Sequence, residues 1–240
     1  MPVLIAVLFL LLSGVGACAE KKADWQSKRV THVHIGGRDF AVPNEYFRGP
    51  IPHEPESKRL YVWMMLPDYA PYRGELAVGT NLEEAWPRHL SVLIDDTAVA
   101  TDLAFRYNAT RYGPNNIFKP EDVSDAHGLH HTLVWYSNAR SPTPFIESDL
   151  YYSQSDKGTV VTFAACDRDD PHVHPHPMCE EFFQDGRLLY KIGYRKTNLH
   201  NWHEINDHVH RLIDAFSCVP TNAAVNTAKN NNKGNKVCPV

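Results

Sequence analysis

GTVVTFAACDRDDPHVHPHPMCEEFFQDGRLLYKIGY (158–194) sets two runs rich in β-branched and aromatic residues around a segment bounded by Cys166 and Cys179, and a third run follows Asp185-Gly186. Such side chains suit a pleated, half-buried surface, and Asp-Gly favours a two-residue hairpin turn. Strands joined this closely pair antiparallel. The stretch therefore predicts consecutive antiparallel strands with one long loop, which carries Asp167, Asp169, Asp170, His172, His174 and His176 among three prolines.

Similar signals lie outward on both sides. DLYYSQ (149–154) enters the first run through Ser155-Asp156-Lys157-Gly158, and RLYVWMML (59–66), LSVLID (90–95) and HTLVWYS (131–137) read as further strands. THVHIGGRDFAVP (31–43) reads as a short hairpin turning at Gly36-Gly37. Downstream, Leu199, Trp202, Ile205, Val209, Leu212, Ile213 and Phe216 recur at three- and four-residue steps. That is an amphipathic helix with one stripe on a core, its N-terminus expected near Asn198 or Asn201. The expected fold class is α+β, a largely antiparallel β-sheet with this C-terminal helix packed on it. Residues 19–219 are expected to form one domain, with a two-lobe split near 137–148 as the alternative. Residues 220–240 form a polar, asparagine-rich tail.

The N-terminus gives the compartment. Residues 3–12, VLIAVLFLLL, are too few to span a bilayer, which needs about 20 apolar residues. They fit the apolar core of a secretory signal, although the preceding Met-Pro lacks the usual positive charge. Val15-Gly16-Ala17-Cys18 looks like a bacterial lipobox, which makes residues 1–18 a lipoprotein signal and Cys18 the acylated first residue. Cleavage at Ala17-Cys18-Ala19 as an ordinary secretory site is the other reading. With lipidation, Ala19 rather than Asp after the cysteine points to the outer membrane, facing the periplasm. Export to an oxidising compartment predicts two disulfides from Cys166, Cys179, Cys218 and Cys238. Nearest-neighbour pairing, 166–179 and 218–238, is the expected one of three connectivities.

At 43% hydrophobic and 11% aromatic residues, the chain can bury a substantial core. A net charge of −4 without a dense basic run argues against nucleic acid as a partner. The 14 histidines invite a catalytic reading, so each cluster needs a test. His203-Glu204-Ile205-Asn206-Asp207 approaches a zinc-protease helix motif but places Asp where the second histidine belongs. His172, His174 and His176 alternate as residues on one side of an extended, proline-stiffened segment, a poor geometry for convergent metal ligands. His32 and His34 read as edge-strand residues. Asp95-Asp96 and Glu180-Glu181 read as solvated pairs, because neighbours on an extended chain point to opposite faces. No nucleophile elbow, phosphate loop, dinucleotide fingerprint or CxxC occurs. No catalytic residue, resident metal or cofactor is expected, and the chain does not read as an enzyme.

Three elements together resemble the lipoprotein-type immunity proteins that protect bacteria from lipase effectors of type VI secretion. They are GGRDFAVPNEYF (36–47), RLYVWMMLPDYAP (59–71) with its strand ending in Pro-Asp-aromatic, and the late cysteine pair followed by the helix at 199–216. The resemblance implies a protein that binds and blocks a phospholipase effector in the periplasm, with the partner of a phospholipase D-type effector as the finest version. On that reading Asp167, Asp169 and Asp170, with His172 and His174 beside them, are the candidate partner-binding residues. Acidic groups would complement a cleft built for phosphate and speed association. Two other classes remain open: a structural envelope lipoprotein without a toxin partner, and a histidine-rich metal-binding envelope protein.

Overall fold

Alternating side chains along the strands give one large sheet two different faces. The computed structural model describes residues 30–48, 57–72, 86–98, 101–117, 124–137 and 145–218. Ten strands form the main sheet: β3 (Arg59–Met65), β4 (Ala70–Pro71), β5 (His89–Asp96), β6 (Asn116–Ile117), β7 (Ser124–Ala126), β8 (Leu129–Tyr136), β9 (Phe145–Gln154), β10 (Val160–Asp167), β11 (Met178–Asp185) and β12 (Leu188–Arg195). Their order is β4-β3-β5-β12-β11-β10-β9-β8-β6, with β7 also on β8, and every recorded pairing is antiparallel. The consecutive hairpins β8 to β12 build one half, and β5 joins β12 to carry β3 and β4. Residues on either side of 137–148 thus belong to adjacent strands of the same sheet, β8 and β9.

On β12, Leu188, Tyr190, Ile192 and Tyr194 face one side, where they meet a second, three-stranded sheet and a helix. That small sheet is β1 (Val30–Ile35), β2 (Arg38–Pro43) and β13 (Ser217–Cys218), in the order β1-β2-β13. The β1–β2 turn needs glycine twice over at Gly36. Its φ is +60°, and a Cβ there would lie 2.5 Å from Leu188 Cδ2.

The helix on this face is α2 (Trp202–Phe216), entered through a 3-10 turn over Lys196–Asn201. Its buried stripe is Trp202, Ile205, Val209, Ile213 and Phe216, each at most 5% exposed. Burying one such aliphatic side chain contributes about 1.5–3 kcal/mol, which outweighs any contribution from the cap. Asn201 sits at the cap position without a side-chain capping bond, and Asn198 instead donates to the Pro87 carbonyl at 2.7 Å. Trp202 Nε1 anchors the first turn by donating to the His127 carbonyl at 3.0 Å.

A second core occupies the other face. Leu150, Tyr152, Phe163, Phe182 and Leu189 pack there with Leu103 and Tyr107 of α1 (Leu103–Tyr112), a helix that the sequence reading did not anticipate. Asp102 Oδ1 caps α1 by accepting the Phe105 N–H at 2.8 Å.

The three elements of the sequence resemblance meet in the first core. Tyr46 packs edge-on to Phe216 with ring centroids 5.0 Å apart, and Tyr69, at φ +54°, stacks on His208 at 4.3 Å. These motifs specify how the helix seats on the sheet. They say nothing direct about what the protein binds.

Candidate interaction site at the disulfide loop

Cys166 and Cys179 sit directly opposite each other on β10 and β11 and form the first expected disulfide. The register and the bridge fix both feet of the loop 168–177. The expected Cys218–Cys238 pairing and the lipid anchor at Cys18 lie outside the described residues.

Within the loop the backbone does not stay extended. Val173 N and His174 N both donate to the Asp170 carbonyl, at 3.1 and 2.6 Å, making one helical turn. His172, His174 and His176 therefore do not form a stripe, because 171–173 lie in this turn and Pro175-His176 in a bend. Among the described residues no group of three or more His, Cys, Asp or Glu side chains is arranged to hold a metal ion.

Each of the three candidate aspartates has structural work. Asp167 Oδ2 accepts the Met178 N–H at 2.9 Å, and its Oδ1 lies 3.8 Å from His174 Nδ1. Asp170 Oδ1 accepts the His172 N–H at 3.0 Å. Asp169 pairs with Lys196 Nζ at 2.9 Å. The expected acidic protrusion is thus partly neutralised. Its outermost residues are Pro171, His172, Val173, Pro175 and His176, with Val173 65% exposed.

Lys196 is the residue that sequence reasoning missed. It immediately follows β12, and its backbone N–H donates to the Pro177 carbonyl at 2.9 Å. Its Nζ reaches Asp149 Oδ2 at 2.6 Å and the Asp167 carbonyl at 3.0 Å. Burial alone would lower its pKa, but the bonds to Asp149 and Asp169 overcome this and raise it. Burial pushes Asp149 up, while the hydrogen bonds from His131 and Lys196 hold it below the usual carboxylate range. His131 Nε2 meets Asp149 Oδ1 at 2.9 Å, so the chain His131–Asp149–Lys196–Asp169 ties the loop to β8, β9 and the 3-10 turn after β12. No local spacing pattern signals it, because its members lie far apart in the chain.

Beneath the loop is an open depression of about 810 Å³, lined by Asp167, Arg168, Asp170, Val173, His174 and Met178, with Glu180 at its margin. It combines acids, one arginine and apolar groups, a composition suited to protein contact. The neighbouring Glu181 corrects the reading of Glu180-Glu181 as a solvated pair. It is 1% exposed on the helix face and accepts from Tyr194 Oη at 2.6 Å and Asn206 Nδ2 at 2.7 Å. Burial raises its pKa to about 7, against hydrogen bonds from Tyr194, Asn206 and Thr162 that pull it down. The zinc-like cluster on α2 is also dispersed: His203 stacks on Trp202, His208 on Tyr69, and His210 lies 4.5 Å from the Phe183 ring.

The fold is similar to that of an immunity protein of the Stenotrophomonas maltophilia type IV secretion system. The match covers 80% of this chain and 94% of that one, with 16% sequence identity and a TM-score of 0.53. A looser match is the iron-regulated outer membrane lipoprotein FrpD of Neisseria meningitidis, at 8% identity and a TM-score of 0.39 over 78% of this chain and 92% of that one. No protein-family model and no curated protein matches the sequence.

Proposed function

We propose that this chain is an immunity protein, a stoichiometric inhibitor of an antibacterial toxin delivered by a secretion system. The observation that carries the reading is the fold shared with an immunity protein over four-fifths of the chain. The disulfide-closed loop supports it, since a braced protrusion loses little entropy on docking. In finer form, the protein is exported, anchored to the outer membrane through Cys18, and blocks a periplasm-acting phospholipase effector of type VI secretion. The motifs at 36–47, 59–71 and 199–216 support that version, while the structural relative serves a type IV system.

The contact surface on this reading is the loop 168–177 with Asp167, Asp169, Asp170, His172 and His174. The test is protection. Toxin candidates encoded beside the gene are directed to the periplasm of a sensitive strain, with and without this protein. Rescue of growth together with a one-to-one complex is expected. A phospholipase among the rescued toxins sharpens the reading to its finer form. Absence of both rescue and complex with every neighbouring toxin overturns it.

A further inference from the structure

The depression beneath the loop opens on the sheet face opposite α2. Glu181 bonds to α2, so its strand neighbour Glu180, and Ala165 paired with Glu180, face the other way. Ser148 of β9, Ala165 of β10 and Met178 of β11 line the space from the sheet, and Asp170, Val173 and His174 line it from the loop turn. At about 810 Å³ it falls in the size range of ligand pockets.

Three carboxylates line it, and each has one oxygen held and one left over. Asp167 Oδ2 accepts the Met178 N–H, Asp170 Oδ1 the His172 N–H, and Glu180 Oε1 a bond from Lys191 Nζ. Among the described residues, Asp170 Oδ2 and Glu180 Oε2 have no hydrogen-bond partner. Asp167 Oδ1 has only His174 Nδ1, at 3.8 Å and beyond bonding distance. Arg168 is the one arginine or lysine on the lining, so negative charge is in excess. Beside the acids, Val173 and the half-buried Met178 present apolar surface. Among the described residues these acids do not converge as metal ligands. Their complement is a cation on an apolar stem, which lays its methylenes on such a surface and its charge among the oxygens.

We infer that this depression receives an arginine side chain of the partner protein, its stem on Val173 and Met178 and its guanidinium among Asp167, Asp170 and Glu180. A guanidinium fork serves two acceptors at once, whereas an ammonium acts as a point charge. That the partner is a toxin rests on the immunity reading; the chemistry of the receptor does not. Recognition is then concave, with the toxin inserting into this chain beneath the loop.

Methyl NMR of the oxidised full-length chain tests this with the peptide acetyl-Leu-Arg-Leu-amide. Its citrulline counterpart keeps the shape without the charge, and acetyl-Leu-Glu-Leu-amide reverses the charge. The arginine peptide is expected to shift the Met178 and Val173 methyl signals to saturation with a Kd of about 1–10 mM. The citrulline peptide should bind at least about fivefold more weakly. Asp170→Asn combined with Glu180→Gln should weaken arginine-peptide binding about tenfold with Tm unchanged, since asparagine can still accept the His172 N–H. No saturable shift up to about 20 mM overturns the inference. Equal binding of the citrulline peptide, tighter binding of the glutamate peptide, or full binding by the double variant overturns it too. With a toxin that the chain neutralises, the double variant should raise the Kd of the complex about tenfold. An unchanged Kd there overturns the inference and leaves the immunity reading intact. Arginine-peptide binding without protection from any neighbouring toxin does the reverse: the receptor stands and the immunity reading falls.

Discussion

Lys196 and Arg195 are consecutive cations, both largely buried, and they have opposite fates. Lys196 lies among Asp149, Asp169 and the Asp167 carbonyl, and its charge is stabilised. Arg195 has its Nη1 buried and unpartnered, and burial alone lowers its pKa. Arg195 closes β12 and Lys196 opens the 3-10 turn that follows, so adjacent residues can differ entirely in environment. A paired buried charge holds structure together, whereas an unpaired one carries its desolvation cost without an offsetting bond.

The sharpest way to break this contrast is to remove the paired cation. Lys196→Met leaves Asp149 with His131 alone and frees Asp169, with an expected loss of about 3 kcal/mol in urea unfolding. A loss under about 1 kcal/mol would show that the network is not structural. Next in size is Glu181, a second buried charge without a counter-charge. Its pKa is raised from 4.5 to about 7 in the folded protein, so the folded state holds its proton more tightly than the unfolded one. Its contribution is fully present below pH 4.5 and is lost as pH rises through about 7. Glu181→Gln should therefore gain on wild type as pH rises, by up to about 3 kcal/mol at pH 8, and the advantage should vanish near pH 4. Parallel unfolding curves across that range would contradict it.

The disulfide comes third. Its cysteines are 13 positions apart, and replacing both with alanine should cost roughly 2–3 kcal/mol by loosening the unfolded chain. Under the proposed immunity role, toxin binding should weaken alongside, and unchanged binding would detach the loop from recognition. The smallest effect is expected at Asp169, whose side chain is 75% exposed. Asp169→Asn should change stability by less than about 0.5 kcal/mol and, under the proposed immunity role, slow association with the toxin at low salt. An equal rate would remove Asp169 from the contact surface.

Much of this architecture was legible in the sequence, and the gaps have physical reasons. The hairpins at Gly36-Gly37, 155–158 and Asp185-Gly186 announce themselves through turn chemistry, and α2 does so through its regular apolar stripe. Helix α1 was hidden because its buried positions are only Leu103, Tyr107 and Arg111, the last an arginine whose guanidinium lies 5.1 Å from the centre of the Tyr152 ring. The loop misled because prolines suggest extension, whereas Asp170 draws two backbone N–H groups into a turn. Charge networks were the least legible. Glu180 and Glu181 look alike in sequence, and only the pairing register sends one to Lys191 and the other beneath α2. The Asp149–Lys196 pair spans 47 positions, beyond any spacing rule.

The loop 168–177 is held entirely from its base, by the ladder of β10 and β11, the disulfide and Lys196. Its outer residues, from Pro171 to His176, contribute little to holding the sheet together. The site therefore behaves as a socket with an exchangeable insert. Different tips, longer or shorter and of other charge, could be carried on the same frame without refolding the domain. Under the proposed immunity role, a lineage facing a changing set of toxins could then retune recognition at the tip while the scaffold beneath stays fixed.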